Sequence, residues 1–179
     1  SKIKNFTCKH VRKTIRIASG EHNLEYLETP GMIQFDLYNY FRRQFNFESY
    51  KLDFVVSKLI GDRVSKISHE RGMTRIESSN LMGLKKGNYI RLEEIGHCVD
   101  SYMDGSKLKV CELGDSCFYI ENTHNPNMKK TVRWCLGKDD VSPHDIFRLS
   151  NGDSSDRMIV GKYCLMDCQV LHSLIKKLK

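Results

Sequence analysis

The sequence predicts an α+β protein in which helical stretches flank a small all-β module. Three observations predict it. Leu52, Val55, Val56, Leu59 and Ile60 recur at spacings of three and four, the pattern of one buried helix face. Between residues 88 and 135, short β-branched and aromatic runs are punctuated by Lys86-Gly87, Asp104-Gly105, Leu113-Gly114 and Asn125-Pro126, as in a small barrel or sandwich. After Gly137 a helical pattern returns, with Ile159, Val160, Tyr163, Val170, Leu171, Leu174 and Ile175 among its apolar positions.

The elements follow in order. Val11, Ile15 and Ile17 read as a strand, residues 19–23 as a turn and residues 24–27 as a second strand, giving a hairpin. Pro30-Gly31 breaks it, and Met32-Ile33-Gln34-Phe35 reads as a short apolar strand. Asp36 is read as a helix N-cap rather than a metal ligand, because its carboxylate can accept from the free N–H groups of the next turn. That helix runs through Leu37, Tyr38, Tyr40, Phe41 and Arg42 and stops at Asn46 or Phe47. A second helix starts near Ser49 and ends at Gly61, placed as a C′ glycine. Residues 62–78 are polar without a clear period and read as a linker. Strands are expected at 88–92, 107–111, 117–120 and 130–135. Ser142-Pro143-His144-Asp145 opens a short helix, Asn151-Gly152 breaks it, and Ser154 or Ser155 caps a last long helix. Lys176, Lys177 and Lys179 close that helix at the negative end of its dipole. The expected segments are 1–61, the β module with its linker at 62–136, and 137–179.

Among the 179 residues, 29 Lys and Arg outnumber 22 Asp and Glu, a net charge of +7 that favours a polyanionic partner. Hydrophobic residues at 40% and charged residues at 28% permit a packed core and exclude a wholly disordered chain. No apolar run reaches the ~20 residues of a membrane span, so no membrane partner is expected. Residues 1–6 hold no apolar signal core, so an intracellular protein is expected. Seven cysteines without a Cys-x-x-Cys pair read as free thiols in a reducing compartment. His97, Cys98, Cys111, Cys117, His124 and Cys135 crowd one region, but Cys111 and Cys117 are too far apart for a tight-turn zinc pair; thiols in a strand core are the preferred reading.

The chemical clue is Tyr163-Cys164-Leu165-Met166-Asp167. Tyr163 and Asp167, at i and i+4, share one helix face. Among Met166, Val170 and Leu171, the Asp167 carboxylate is costly unless paired, hydrogen-bonded or metal-bound. With a phenol one turn away it suits metal-assisted hydrolysis of a phosphodiester. Taken alone, the spacing arises often by chance, and a helix with an exposed Asp is the plainer reading. In the β module, Lys85, Lys86, Arg91, Lys107, Lys109, Lys129, Lys130 and Arg133 alternate with Tyr89, Tyr119 and Trp134, a composition that can track single-stranded nucleic acid. Glu93, Glu94, Asp100, Asp104, Glu112 and Asp115 dilute that argument, and a tolerated surface insertion is the plainer reading. Arg42-Arg43 reads as a solvated face, Asp139-Asp140 as a loop and His144 as a surface residue.

Several stretches in one order carry a resemblance. Gly31-Met32-Ile33-Gln34-Phe35-Asp36-Leu37-Tyr38, Arg42-Arg43 and Ser49-Tyr50-Lys51-Leu52-Asp53 come first. Lys138-Asp139-Asp140-Val141-Ser142-Pro143-His144-Asp145-Ile146-Phe147 and Tyr163-Cys164-Leu165-Met166-Asp167 follow. Over residues 5–61 and 137–179 the chain resembles the 3′→5′ proofreading exonuclease domain of family-B DNA polymerases, of the polymerase-delta-like type of eukaryotes and large DNA viruses. The resemblance implies part of a ribonuclease-H-like fold, interrupted by the β module where cellular relatives have a short connection. It implies DNA, at the primer 3′ end, as partner, in the nucleus or at a cytoplasmic viral replication site. It makes Asp167 a ligand of a divalent metal, Mg²⁺ or Mn²⁺, in the complete domain and gives Tyr163 the orienting of the attacking water. The family's Asp-x-Glu and Asn-x-x-x-Phe-Asp motifs are not found here and are expected before residue 1. The expectation is thus a polymerase fragment, inactive alone and without its own metal, since Mg²⁺ keeps its waters unless several oxygens converge. Missing sheet partners would leave an apolar surface open to self-association. The alternative is a non-enzymatic nucleic-acid-binding or interaction module on an exonuclease-like scaffold.

Overall fold

A computed structural model describes residues 8–17, 20–137 and 141–178. The chain divides into two units, Ser1–Tyr50 and Lys51–Lys179.

In the first unit, β1 (Lys9–Ile17) and β2 (Gly20–Glu28) pair antiparallel from Lys9↔Glu28 to Ile17↔Gly20. Gly20, Glu21, His22 and Asn23 belong to β2 rather than to the expected turn, whose Ser19 lies outside the described residues. Polar side chains matched across the strands explain this: Arg16 meets Glu21 at 3.2 Å, and the Thr14 hydroxyl donates to Asn23 at 2.7 Å. Residues 32–35 form no strand, against expectation. Among the described residues no strand pairs with them, and Ile33 is 97% exposed. A short apolar run makes a strand only where a second backbone supplies hydrogen bonds.

Helix α1 (Leu37–Gln44) begins as expected, with Asp36 accepting from the N–H groups of Tyr38 and Asn39. It stops short of Asn46 because an aromatic cluster takes over the chain. Phe45 and Phe47 stack at 5.0 Å, and the Tyr50 hydroxyl donates to the Phe45 carbonyl at 2.7 Å.

In the second unit, α2 (Leu52–Leu59) buries Val55 and Val56 and leads directly into a strand. The strands are β3 (Gly61–Glu70), β4 (Met73–Ser78), β5 (Tyr89–Ile95), β6 (Val99–Ser101), β7 (Leu108–Leu113), β8 (Cys117–Ile120) and β9 (Thr131–Gly137). The order β5-β7-β8-β4-β3-β9 closes through a β5–β9 pairing into a six-stranded antiparallel barrel, with β6 appended to β5. Its interior holds Val64, Ile76, Ile90, Leu92, Val110, Phe118, Ile120, Val132 and Trp134. Phe118 and Trp134 meet edge to face at 5.7 Å. The α+β class and the barrel-like module are as the sequence suggested.

Residues 62–78 are not a linker but the β3–β4 hairpin. Arg71 and Gly72, both at positive φ (53° and 74°), make its two-residue turn. The period went unseen because two of the three inward residues of β4, Thr74 and Ser78, are polar. Both are satisfied inside. The Thr74 hydroxyl donates to the Asn122 carbonyl at 2.8 Å and accepts the His124 N–H at 2.7 Å, and Ser78 accepts the Trp134 indole N–H at 2.9 Å. Gly61 also departs from expectation. It does not end α2 in a left-handed conformation; it starts β3, where a Cβ would stand 2.3 Å from the Trp134 carbonyl oxygen. The site needs glycine for close backbone approach.

Helix α3 (Pro143–Ser150) is capped by Ser142, as expected. Helix α4 (Ser154–Lys177) is capped by Asp153, one residue before the expected Ser154. Asp139-Asp140 lie outside the described residues. Helix α2 packs against β9 and α4, and α3 against α4. Among the described residues, no helix is long and apolar enough to cross a membrane.

Candidate functional site

Helix α4 presents two adjacent stripes inward. Tyr163, Asp167, Val170 and Leu174 follow one another at spacings of four, three and four. Val170 and Leu174 are buried and Tyr163 and Asp167 half-buried. One carboxylate oxygen of Asp167 is out of contact with solvent. Tyr163, with Val141, Lys162 and Met166, borders an open cleft of about 490 Å³. The periodicity thus brings Tyr163 and Asp167 to one face, one turn apart.

The neighbouring stripe, Met166 and Gln169, meets the barrel. The Asn88 amide donates to the Met166 sulfur at 3.6 Å, and the Lys85 ammonium to the Gln169 side-chain oxygen Oε1 at 3.4 Å. At the other attachment, Arg133 of β9 donates to the Ser57 and Lys58 carbonyls at 2.9 and 3.0 Å, closing the C-terminus of α2, and pairs with Glu93 at 3.0 Å. Arg91 of β5 reaches Asp53, in the first turn of α2, at 3.5 Å. The Leu136 N–H donates to the Ile60 carbonyl at 3.0 Å, so the barrel begins and ends side by side.

These contacts sort the basic and aromatic residues grouped from the sequence. Trp134 is wholly buried and offers no stacking face. Arg91 and Arg133 are held by α2 and by Glu93, Lys130 pairs with Asp100 at 2.6 Å, and the Tyr119 hydroxyl donates to Glu70 at 3.3 Å. Tyr89, Lys85, Lys86 and Lys109, the last paired with Glu121 at 3.3 Å, lie on one corner beside α4. The anchoring roles of Arg133 and Asn88 were missed because their partners lie 76 and 78 residues away in sequence, and no local pattern signals them.

Asp62 is another residue that the sequence did not mark. Burial alone would raise its pKa, but hydrogen bonds from the Ser78 and Ser79 hydroxyls and from backbone N–H groups outweigh burial and hold the carboxyl below its usual range. The cysteine and histidine cluster disperses. Cys98 is exposed and bonded to Asp100, the His124 ring bonds the Glu121 carbonyl, and burial pushes the Cys135 thiol up to about 11. Among the described residues, no three His, Cys, Asp or Glu side chains converge as metal ligands. Asp36 serves as a cap, Arg42 lies over the Tyr38 ring at 5.5 Å, and His144 is exposed at the start of α3.

No protein-family model matches the chain. Over nine-tenths of its length it is homologous to a segment of viral DNA polymerases. It is 42% identical over 171 residues to a protein named DNA polymerase of Phaeocystis pouchetii virus, spanning 92% of this chain and 16% of that protein. It is 34% identical over 163 residues to a protein named DNA polymerase of Pyramimonas orientalis virus, spanning 90% of this chain and 12% of that protein. The resemblance to viral DNA polymerases read from the motifs is borne out.

Proposed function

We propose that the chain is part of the 3′→5′ proofreading exonuclease domain of a family-B DNA polymerase, with a ribonuclease-H-like scaffold completed by polypeptide outside this chain. The observation that carries the reading is the half-buried pair Tyr163 and Asp167, one turn apart on α4, in a chain homologous to viral DNA polymerases. Asp167 fits as one oxygen ligand of a divalent cation, Mg²⁺ or Mn²⁺, which when bound would polarise the phosphodiester and activate water. The described residues supply no further converging ligands, so the chain alone is proposed to hold no metal and to be inactive. Tyr163 borders the open cleft, where its hydroxyl can hydrogen-bond and orient a water beside the scissile bond. The substrate in the whole polymerase is the 3′ end of the primer strand. The exposed Met32, Ile33 and Phe35 support the same reading, since an apolar segment that pairs with no strand among the described residues suits a sheet completed from elsewhere, and in isolation would favour self-association.

The test is a polymerase carrying this segment, assayed for both activities. Asp167→Asn should lower exonuclease turnover by at least about a hundredfold while nucleotide incorporation persists. Tyr163→Phe should cost about ten- to a hundredfold. Exonuclease activity unchanged in Asp167→Asn would overturn the reading.

A further inference from the structure

We propose that the corner of the barrel beside α4 is a binding site for single-stranded DNA, built on Tyr89, Lys109, Lys85 and Lys86. Tyr89 stands opposite Lys109 on β7 and opposite Gly137 on β9. Ile90 and Leu108, the next residues in the two facing strands, are buried, so Tyr89 and Lys109 point outward. Gly137 carries no side chain of its own opposite the phenol, and the half-exposed ring has the Lys109 cation on its other flank. Bases stack on such a face whatever their sequence.

The turn at residues 85–88 brings two more cations to the same place. The Asn88 N–H donates to the Lys85 carbonyl at 3.1 Å, and the Gly87 N–H donates to the Val110 carbonyl at 2.8 Å, which holds the turn against β7 next to Lys109. Lys85 and Lys86 are exposed. Lys85 reaches Gln169, six residues along α4 from Tyr163 and so about 9 Å from it along the axis. A strand whose end lies at Tyr163 would meet Lys85 first, then Lys86, Tyr89 and Lys109. The 3.3 Å pair of Lys109 with Glu121 is about half exposed on both sides (47% and 52%), the kind of surface pair a phosphate can displace. Arg91, Arg133 and Lys130 are held elsewhere by ion pairs. The inference rests on the exonuclease reading only for the direction from which the strand arrives.

The experiment titrates this chain against a labelled oligothymidylate, read by fluorescence anisotropy between about 50 and 200 mM salt. Binding should weaken linearly with salt on logarithmic axes, and Lys85→Ala with Lys86→Ala should lower the slope by about 1.4, two single-strand phosphate contacts. Tyr89→Leu should weaken binding about tenfold at fixed salt and leave the slope alone. Lys66→Ala with Arg71→Ala, on the β3–β4 hairpin, should change neither. Emission from the buried Trp134 verifies that each variant is folded. No binding at the lowest salt, an equal loss in the Lys66 and Arg71 variant, or equal competition by blunt duplex DNA overturns the proposal. Because Asp167 does not enter this titration, a failed exonuclease assay and a failed titration reject different claims.

Discussion

The β1–β2 hairpin and the barrel are both antiparallel, and they hold their strands by different means. In the hairpin both faces are largely wet, and His22 is the one buried residue among its described side chains. Its strands are matched by surface partners such as Glu25, which meets Arg12 at 3.0 Å and His10 at 2.6 Å. The barrel leaves no edge along its closed circuit, and every second residue of β4, β8 and the start of β9 points into a dry interior. Two strands cannot enclose anything; six closed strands can. Antiparallel pairing therefore tolerates polar sequence in one place and constrains it in the other.

Substitutions can break this contrast at the barrel first. Trp134→Ala should destabilise the second unit by about 3–5 kcal/mol, seen as a lower urea midpoint by circular dichroism, because it empties the core beside Phe118 and leaves Ser78 without its donor. A urea midpoint equal to the parent's would mean that the core collapses around the gap. Gly61→Ala should cost about 1–3 kcal/mol in the same measurement, since its Cβ would press on the Trp134 backbone rather than on a flexible side chain.

The next effect is on pH dependence. The carboxyl of Asp62 is held low in the folded state. Its contribution is therefore complete above the unfolded value of about 3.9 and fades as pH falls through the lower folded value. Asp62→Asn should flatten the acid limb of stability against pH below about 4, in thermal melts at stepped pH; an unchanged acid limb would assign it to other groups. The smallest change is expected in the hairpin. Glu25→Ala removes two exposed pairs at once and should leave the melting midpoint where it is, because such pairs contribute little in water. A clear drop there would show that the hairpin is stabilised much as the barrel is.

What the sequence revealed follows the same division. Elements governed by neighbouring residues were legible: the Asp36 and Ser142 caps, the strand at 117–120, and the shared face of Tyr163 and Asp167, which needs only the helical period. The β3–β4 hairpin was not, because its inward Thr74 and Ser78 find partners at Asn122, His124 and Trp134, far along the chain. Gly61 was misplaced for a similar reason: its need for glycine comes from β9, not from the helix it follows. The basic residues could be counted in the sequence but not sorted. Which of them hold helices and which face solvent depends on closure, which brings Arg133 beside Ser57.

The meeting of Ile60 and Leu136 has one more consequence. The chain enters the barrel and leaves it at nearly the same point, so the segment between has adjoining ends, as an inserted cassette would. A few residues of turn could stand in for it, and a different closed domain with adjoining termini could be fitted there, without asking α2 or α4 to move. A lineage could gain or shed such a cassette in one genetic event and keep the helices on either side in register.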